Sequence, residues 1–524
     1  MRKLWGAVGL GIFSSLAVGC GDDIRASSKL SGAGGASGVA GDGAVGAGPG
    51  TGGGAGADAS PGIAGDAAAG AGAGAGGTAG AATTGASGAS GAGGPTTPIA
   101  HGCSDLFDPA RLVDYAVDIN ADEWAKIDYE FRNVEALKAA GQDYKAYHPV
   151  VFHYGGETVA DAMIRLKGDS SWRNTVRYDG DKAKMQFVIS FEEVDTAAKF
   201  HGVSKVVLDM PDIDDTFMQE RLAFTTLADM LSLPAPCANS ARLTINGQYY
   251  GLYVNEENVG HGYIKRVFPE APDGDLFEGG YTPKTNDLAP NWQRLDAFWD
   301  AHDIVAMAAV VDIDASVTEW AAEALLNDGD GYYGGGHNFY IYDYPGLGYR
   351  WLIDDADATF AWLGRSNYSP IYWWAGRGTK QQPGQHYLLV MGDPAARAKY
   401  VAALRRLLGL WDVARVQGWI DGFAAQIADA VAADPHLLPT VAEHDKAVAA
   451  MRQVVADRPA YVAKFLACED GSGDASDGDG DGFAWCNDCD DANAAAHPGA
   501  VEICGNGVDD DCNGLVDTDD GCPM

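Results

Sequence analysis

Between Ser27 and Pro98 the chain is built almost wholly from Gly, Ala, Ser and Thr, as in "GAGAGAGGTAGAATTGASGASGAGG". Large apolar side chains offset the entropy of ordering a backbone, and this stretch has very few. It cannot supply a core and reads as a flexible stalk. The length of 524 residues would by itself suggest roughly three or four domains, but the core-forming sequence begins only near His101.

Ahead of the stalk stands an export signal. Arg2 and Lys3 precede the apolar run Leu4 to Val18, which is short for a bilayer span. "LAVGC" then places Cys20 after a small residue, which resembles a bacterial lipobox whose cysteine is lipidated. The expected organisation is a lipoprotein signal peptide over 1–20 and a linker over 21–100. A globular domain over 101–468 and an acidic Cys-rich module over 469–524 follow. The expected location is outside the cytoplasm, as an outer-membrane or cell-surface lipoprotein tethered to the membrane by lipid. Eight cysteines remain after Cys20, an even number that favours disulfides in an exported chain without fixing their pairing. A formal charge of −37 argues against nucleic acid as a partner.

The globular part reads as α+β. "VVFHYGGETVADAMIRLKG" alternates like a hairpin, "KMQFVISF" is a strand, and "ARLTINGQYYGLYVNEENV" is a hairpin turning at Asn246-Gly247. "NFYIYDYPGLGYRWLID" is a second hairpin, turning at Pro345-Gly346. Helical spacing marks "FMQERLAFTTLADMLSL" and dominates later, from "AARAKYVAALRRLLGLW" onward.

The tail after Glu469 has no Lys or Arg. Asp477, Asp479, Asp481 and Asp488 stand at positions 1, 3, 5 and 12 of a loop with Gly482 at position 6. That is calcium-loop spacing, in which alternate oxygens fold round a hard cation and glycine allows the sharp turn. A second loop has Asp509, Asp511, Asn513, Asp517 and Asp520 round Gly514. With few apolar residues, Ca²⁺ and disulfides would have to hold this tail together.

Polar residues interrupt the apolar strands of the main domain. Arg165 lies in "IRLKGDSS", Lys184 opens a strand, Arg221 lies in the first helix and Glu257 ends a hairpin strand beside Glu256. Asp330 lies in "NDGDGYYGGGHN", Asn338 starts the next strand, and the following strand ends in Asp354, Asp355 and Asp357. A lysine, a glutamate, an Asp followed by an Asn and a strand-end Asp form the set that kinases use for phosphate, metal and hydroxyl.

"RLKGDSS", "KMQFVISF", "LTINGQYYGLYVNEENV" and "HNFYIYDYPGLGYRWLIDDADATF" resemble, in order and spacing, the spore-coat CotH kinase family. The resemblance runs from about Val117 to Phe360 and on toward Ala467. It implies an atypical protein-kinase-like fold, use of ATP with Mg²⁺ or Mn²⁺, and phosphorylation of Ser or Thr in a secreted or surface protein. Carried over by position, Asp355 and Asp357 fall on the two acids of the family's "PWDLD", with Asp355 as metal ligand. Asn338 falls on the Asn before "YYLY", Lys184 on the lysine of "KxSFxIxF" and Glu257 on the Glu of "GxYxLxE". On this reading Asn338, Asp355 and Asp357 hold metal. Lys184, Glu257, Arg165 and Arg221 serve the nucleotide, and Asp330 orients or deprotonates the acceptor, with Asp328 as its competitor. Three departures stand out. Ile353-Asp354 replaces the family's Pro-Trp, Glu278 stands where a Lys is frequent, and the interval from Asp330 to Asn338 is long. The other function class is a silent surface or adhesion protein that uses the same fold as a binding platform. The tail segment from Cys489 to Gly514 resembles the MopE-like metal-binding repeat. That name invokes copper, for which a lone His497 is a weak argument, while the oxygen-rich loops suit calcium.

Overall fold

The structure, a computed structural model, describes residues 101–168, 183–210, 213–360, 366–372, 383–516 and 522. The signal segment with Cys20, the stalk, and Asp517 and Asp520 lie outside the described residues.

The first seven strands close a barrel. They are β1 (Leu112–Ile119), β2 (His148–Tyr154), β3 (Glu157–Leu166), β4 (Phe187–Ser190), β5 (Lys205–Asp209), β6 (Ala238–Ile245) and β7 (Gln248–Glu257). Their order is β1-β2-β3-β4-β5-β7-β6. All pairings are antiparallel except the closing one, β1 with β6. Alternation along each strand sends one set of side chains inward. Val206, Leu208 and Tyr253 fill the barrel with Phe152, Ile164 and Phe187, while Leu252 faces the second core outside it. The turn between β6 and β7 is Asn246-Gly247, both with positive φ (50° and 77°), the geometry that makes Asn-Gly a tight hairpin turn.

A second sheet has the order β11-β10-β8-β9. Its strands are β8 (Leu276–Glu278), β9 (Thr282–Pro283), β10 (Phe339–Tyr344) and β11 (Gly348–Ile353). The fold is thus mixed α and β, with most strands before the long helices. Those helices are Ile313–Leu326, Pro394–Leu408, Val413–Ala433 and Val441–Glu469. The last begins with a reciprocal capping box between Thr440 and Glu443. Trp320, Trp351 and Trp419 anchor the core that the helices share with the second sheet.

Four disulfides join Cys103–Cys237, Cys468–Cys486, Cys489–Cys512 and Cys504–Cys522. They fit an extracellular, oxidising setting. The tail packs against the main domain. Trp485 meets the rings of Tyr461 and Phe465, and Arg397 donates to Glu469 and Asn487. Among the described residues no helix is long and apolar enough to cross a membrane.

Candidate active site and metal-binding tail

Strand ends from both sheets bring an unusual density of carboxylates together. β11 stops at Ile353, and the backbone turns sharply at Asp355, whose φ is +38°. Asn338, just before β10, has φ +52°. Non-glycine residues with positive φ are uncommon, and such strain collects at functional sites. The pairing of Phe339 with Ile353 sets Asn338 beside Asp354, whose N–H donates to the Asn338 carbonyl. The Asn338 amide donates to Asp330 Oδ2 at 3.2 Å, and His337 lies 3.8 Å from Asp330 Oδ1. Asp330, Asn338 and Asp354–Asp355 therefore form one neighbourhood.

Asp328 lies behind Asp330, fully buried, and accepts the Asp330 N–H at 3.0 Å. Burial, opposed by the backbone bond from Asp330 and reinforced by the Asp330 and Asp355 charges, lifts its pKa to about 7. Glu323, from the helix Ile313–Leu326, accepts the Tyr333 N–H and is held well above the usual carboxylate range, first by burial and then by Asp328. A Cβ on Gly331 would stand 2.8 Å from Glu323 Oε2 and 2.9 Å from Asp328 Oδ2, so any larger residue at this point of the glycine-rich loop would have to displace both carboxylates.

On the barrel side, Lys167 follows β3 and donates to Asp209 Oδ2 at 2.8 Å. Burial alone would lower the Lys167 pKa, but Asp209, Glu256, Asp355 and Glu220 hold it well above the ordinary lysine value. Glu220 accepts the Ala356 N–H at 3.3 Å, which ties the barrel side to the turn after Asp355. Burial, opposed by Lys167 and reinforced by Asp209, lifts Glu256 to about 8. A second lysine enters from the other sheet: Lys284 pairs with Glu278 at 3.0 Å, both nearly buried. Burial, then Glu278 and Asp355, push Asp354 well above the usual carboxylate range.

The sequence expectations divide here. Asp330, Asn338 and Asp355 are brought together, with Asp357 following in the short turn Ala356–Ala358. The nucleotide-facing set is not. Lys184 is fully buried and donates to Asp434 Oδ2 (2.7 Å) and the Leu252 carbonyl (2.6 Å), between the rings of Tyr253 and Phe217. Glu257 is bound by Arg266 and does not meet Lys184. Strand alternation explains this: Glu256 turns toward the acidic centre and Glu257 to the opposite side. Arg221 donates to Ser240, Gln426 and the Pro109 carbonyl and lies over the Phe423 ring. Burial pushes it down to about 9. Arg165 donates to the Leu166 carbonyl and covers Tyr147. The lysine among the acids is Lys167, inside the quoted "RLKG"; Asp209, Glu220 and Lys284 were missed because no local pattern marks them.

In the tail, the first loop is turned by hydrogen bonds from its own backbone to its aspartates. Asp477 accepts the N–H groups of Gly480 and Gly482, Asp479 that of Asp481, and Asp481 that of Phe483. Each of Asp479, Asp481 and Asp488 keeps a buried Oδ2 without a partner. Burial first, then the Asp481 and Asp479 charges, lift Asp488 to about 6. Unsatisfied carboxylate oxygens are the donors a hard cation takes. In the second loop Asp509 accepts from Asn513 and Gly514, and Glu502, Asp509 and Asp511 bring carboxylate oxygens within 4.8 Å of one another. His497 stacks on Phe483.

A barrel and a helical half joined at a crowded acidic centre, with Lys167 and Lys284 among the carboxylates, define a mixed α and β domain. The CotH kinase protein model matches residues 164–462, more than half of the chain, and the chain belongs to that family. The Cu-binding MopE metal-binding motif matches residues 488–518. A comparison with curated proteins finds no match.

Proposed function

We propose that the chain is an exported CotH-type atypical protein kinase that moves the γ-phosphate of ATP to Ser or Thr of a secreted or surface protein. The observation that carries this is the convergence of Asp328, Asp330, Asn338 and Asp355 at the ends of β10 and β11, within a CotH family match. The residues fit a divalent ion, because carboxylates outnumber cations here and Asp328 Oδ2 is buried without a partner. Asn338 and Asp355 would hold Mg²⁺ or Mn²⁺, which when bound neutralises triphosphate charge. Lys167, not Lys184, adds the fixed positive charge. Asp330, held by Asn338 and backed by Asp328, accepts the acceptor hydroxyl proton as the new O–P bond forms and the bond to ADP breaks. Positioning and electrostatics supply most of the rate.

The tail takes Ca²⁺ in the loop Asp477 to Asp488, and Cys20 carries the lipid that holds the protein at the membrane. The test is transfer from radiolabelled ATP to a Ser-rich acceptor, or to the chain itself, by the mature protein with Mg²⁺ or Mn²⁺. Labelling that survives Asp355→Ala would remove the metal role of Asp355. Wild-type protein that binds no nucleotide would leave the binding-platform reading instead.

A further inference from the structure

Lys184 and Asp434 take no part in the acidic centre. Lys184 lies just ahead of β4, and Asp434 caps the helix Val413–Ala433, 250 residues further on. Both side chains are fully buried. Lys184 Nζ stands 2.7 Å from Asp434 Oδ2 and donates to the Leu252 carbonyl at 2.6 Å. The rings of Tyr253 and Phe217 close round it, with centroids 4.8 and 5.4 Å away. The contact exists because residue 251 is glycine: a Cβ there would stand 2.7 Å from Lys184 Cε and 2.9 Å from Asp434 Oδ2. The carboxyl is held from two further sides. Leu252 N–H donates to Oδ2 and His436 N–H to Oδ1, each at 2.8 Å.

Backbone donors on both oxygens of a carboxyl are what stabilises the oxyanion when a nucleophile adds to its carbon. The nucleophile is already in place. Separated charge is costly in so enclosed a site, and burial draws the Lys184 pKa down. Passing the ammonium proton to the carboxylate leaves a neutral amine against a neutral acid. We propose that Lys184 and Asp434 condense into an intramolecular amide, a covalent strap between the barrel and the helical half. Nζ adds to Cγ as the C–N bond forms. The Cγ–O bond then breaks, and the departing hydroxyl takes a proton from the nitrogen and leaves as water. The step needs no oxidant, metal or nucleotide, so it goes beyond the phosphotransfer reading and does not depend on it. Holding the two groups in contact removes the entropy cost of a bimolecular condensation. The closed chamber keeps out the water that would hydrolyse the product. Unlike the four disulfides, this bond would survive a reductant.

Stability alone cannot separate an ion pair from an amide, so the test reads the bond itself. The full exported chain is allowed to fold, then denatured, reduced, digested with trypsin and examined by mass spectrometry. Wild type should give a branched peptide in which residues 183–199 are joined to residues 416–446. Its mass should be one water less than the sum of the two. Trypsin does not cut after an acylated lysine, so the peptide that begins at Met185 should be missing. Asp434→Ala should lose the branch and release that peptide, and Lys184→Arg should lose the branch as well. Wild-type protein that releases the Met185 peptide and yields no branch would overturn the amide and leave an ion pair. A branch on Lys184 that persists in Asp434→Ala would place the bond on another acid and overturn the assignment. The decisive reading is on wild type, so a variant that fails to fold does not blunt it. A chain that shows the branch but binds no ATP keeps the strap and loses the kinase reading. A chain that transfers phosphate and shows no branch does the reverse.

Discussion

Lys167 Nζ lies 2.8 Å from Asp209 Oδ2, and both side chains are largely out of water. This pair links the end of β3 to the end of β5 at the acidic centre. Removing one partner of such a pair leaves a buried charge alone and costs about 3–5 kcal/mol. Lys167→Met should lose about that much stability in urea unfolding, and phosphate transfer with it. A Lys167→Met protein as stable as wild type would show that the pair matters little.

Acidity should stabilise the protein when no divalent ion is present. Glu256 titrates at about 8 and Asp328 at about 7 in the folded chain, against about 4.3 and 3.9 unfolded. Between these limits the folded state holds more protons than the unfolded one. Stability must therefore fall as pH rises through that interval, by up to roughly 1.4 kcal/mol per pH unit for each group. Urea unfolding in chelator should show this slope, and saturating Mn²⁺ should flatten it. A slope of opposite sign would contradict the burial of these acids.

Lys184 should prove to be a stability residue. Its ammonium is enclosed by Asp434, the Leu252 carbonyl and two rings. Lys184→Met should destabilise by about 3–5 kcal/mol. In a double-mutant cycle with Asp434→Asn, the two losses should overlap strongly. Gly251→Ala should act on the same pair, because the new Cβ would stand 2.7 Å from Lys184 Cε and 2.9 Å from Asp434 Oδ2. Additive losses in the cycle would separate the two residues.

Calcium should raise the melting temperature and change Trp485 fluorescence, since Trp485 lies inside the loop that Asp477 to Asp488 forms and packs on Phe465. Asp481→Asn should remove both responses. The calcium effect should weaken as pH falls through about 6, where Asp488 takes up a proton. Full responses in Asp481→Asn would place the ion elsewhere.

Hairpins, the long helices and the turns that the tail's aspartates close were legible because their signals are local: Asn246-Gly247, period-two and helical spacing, and alternate aspartates. Asn338 and Asp355 were legible because they close one hairpin. The barrel half of the site was not. Glu256 and Glu257 are equivalent in sequence, and only the register of β7 against β5 tells which one faces Asp209. Lys184 and Lys167 both sit beside strands, and the choice between them depends on Asp434, 250 residues further on. Glu278, an acid where the family favours lysine, makes sense only once Lys284 is seen across its turn. Contacts of this kind are set by tertiary packing, which no local pattern encodes.

The Cys468–Cys486 bridge spans residues 471–478, every one of them exposed, while Cys486 itself is buried in the main core. A protease that cut this stretch would nick the chain without releasing its tail. The two pieces would travel as one molecule until a reductant reached the bridge, so the metal-binding loops are shed by reduction after cleavage and not by cleavage alone.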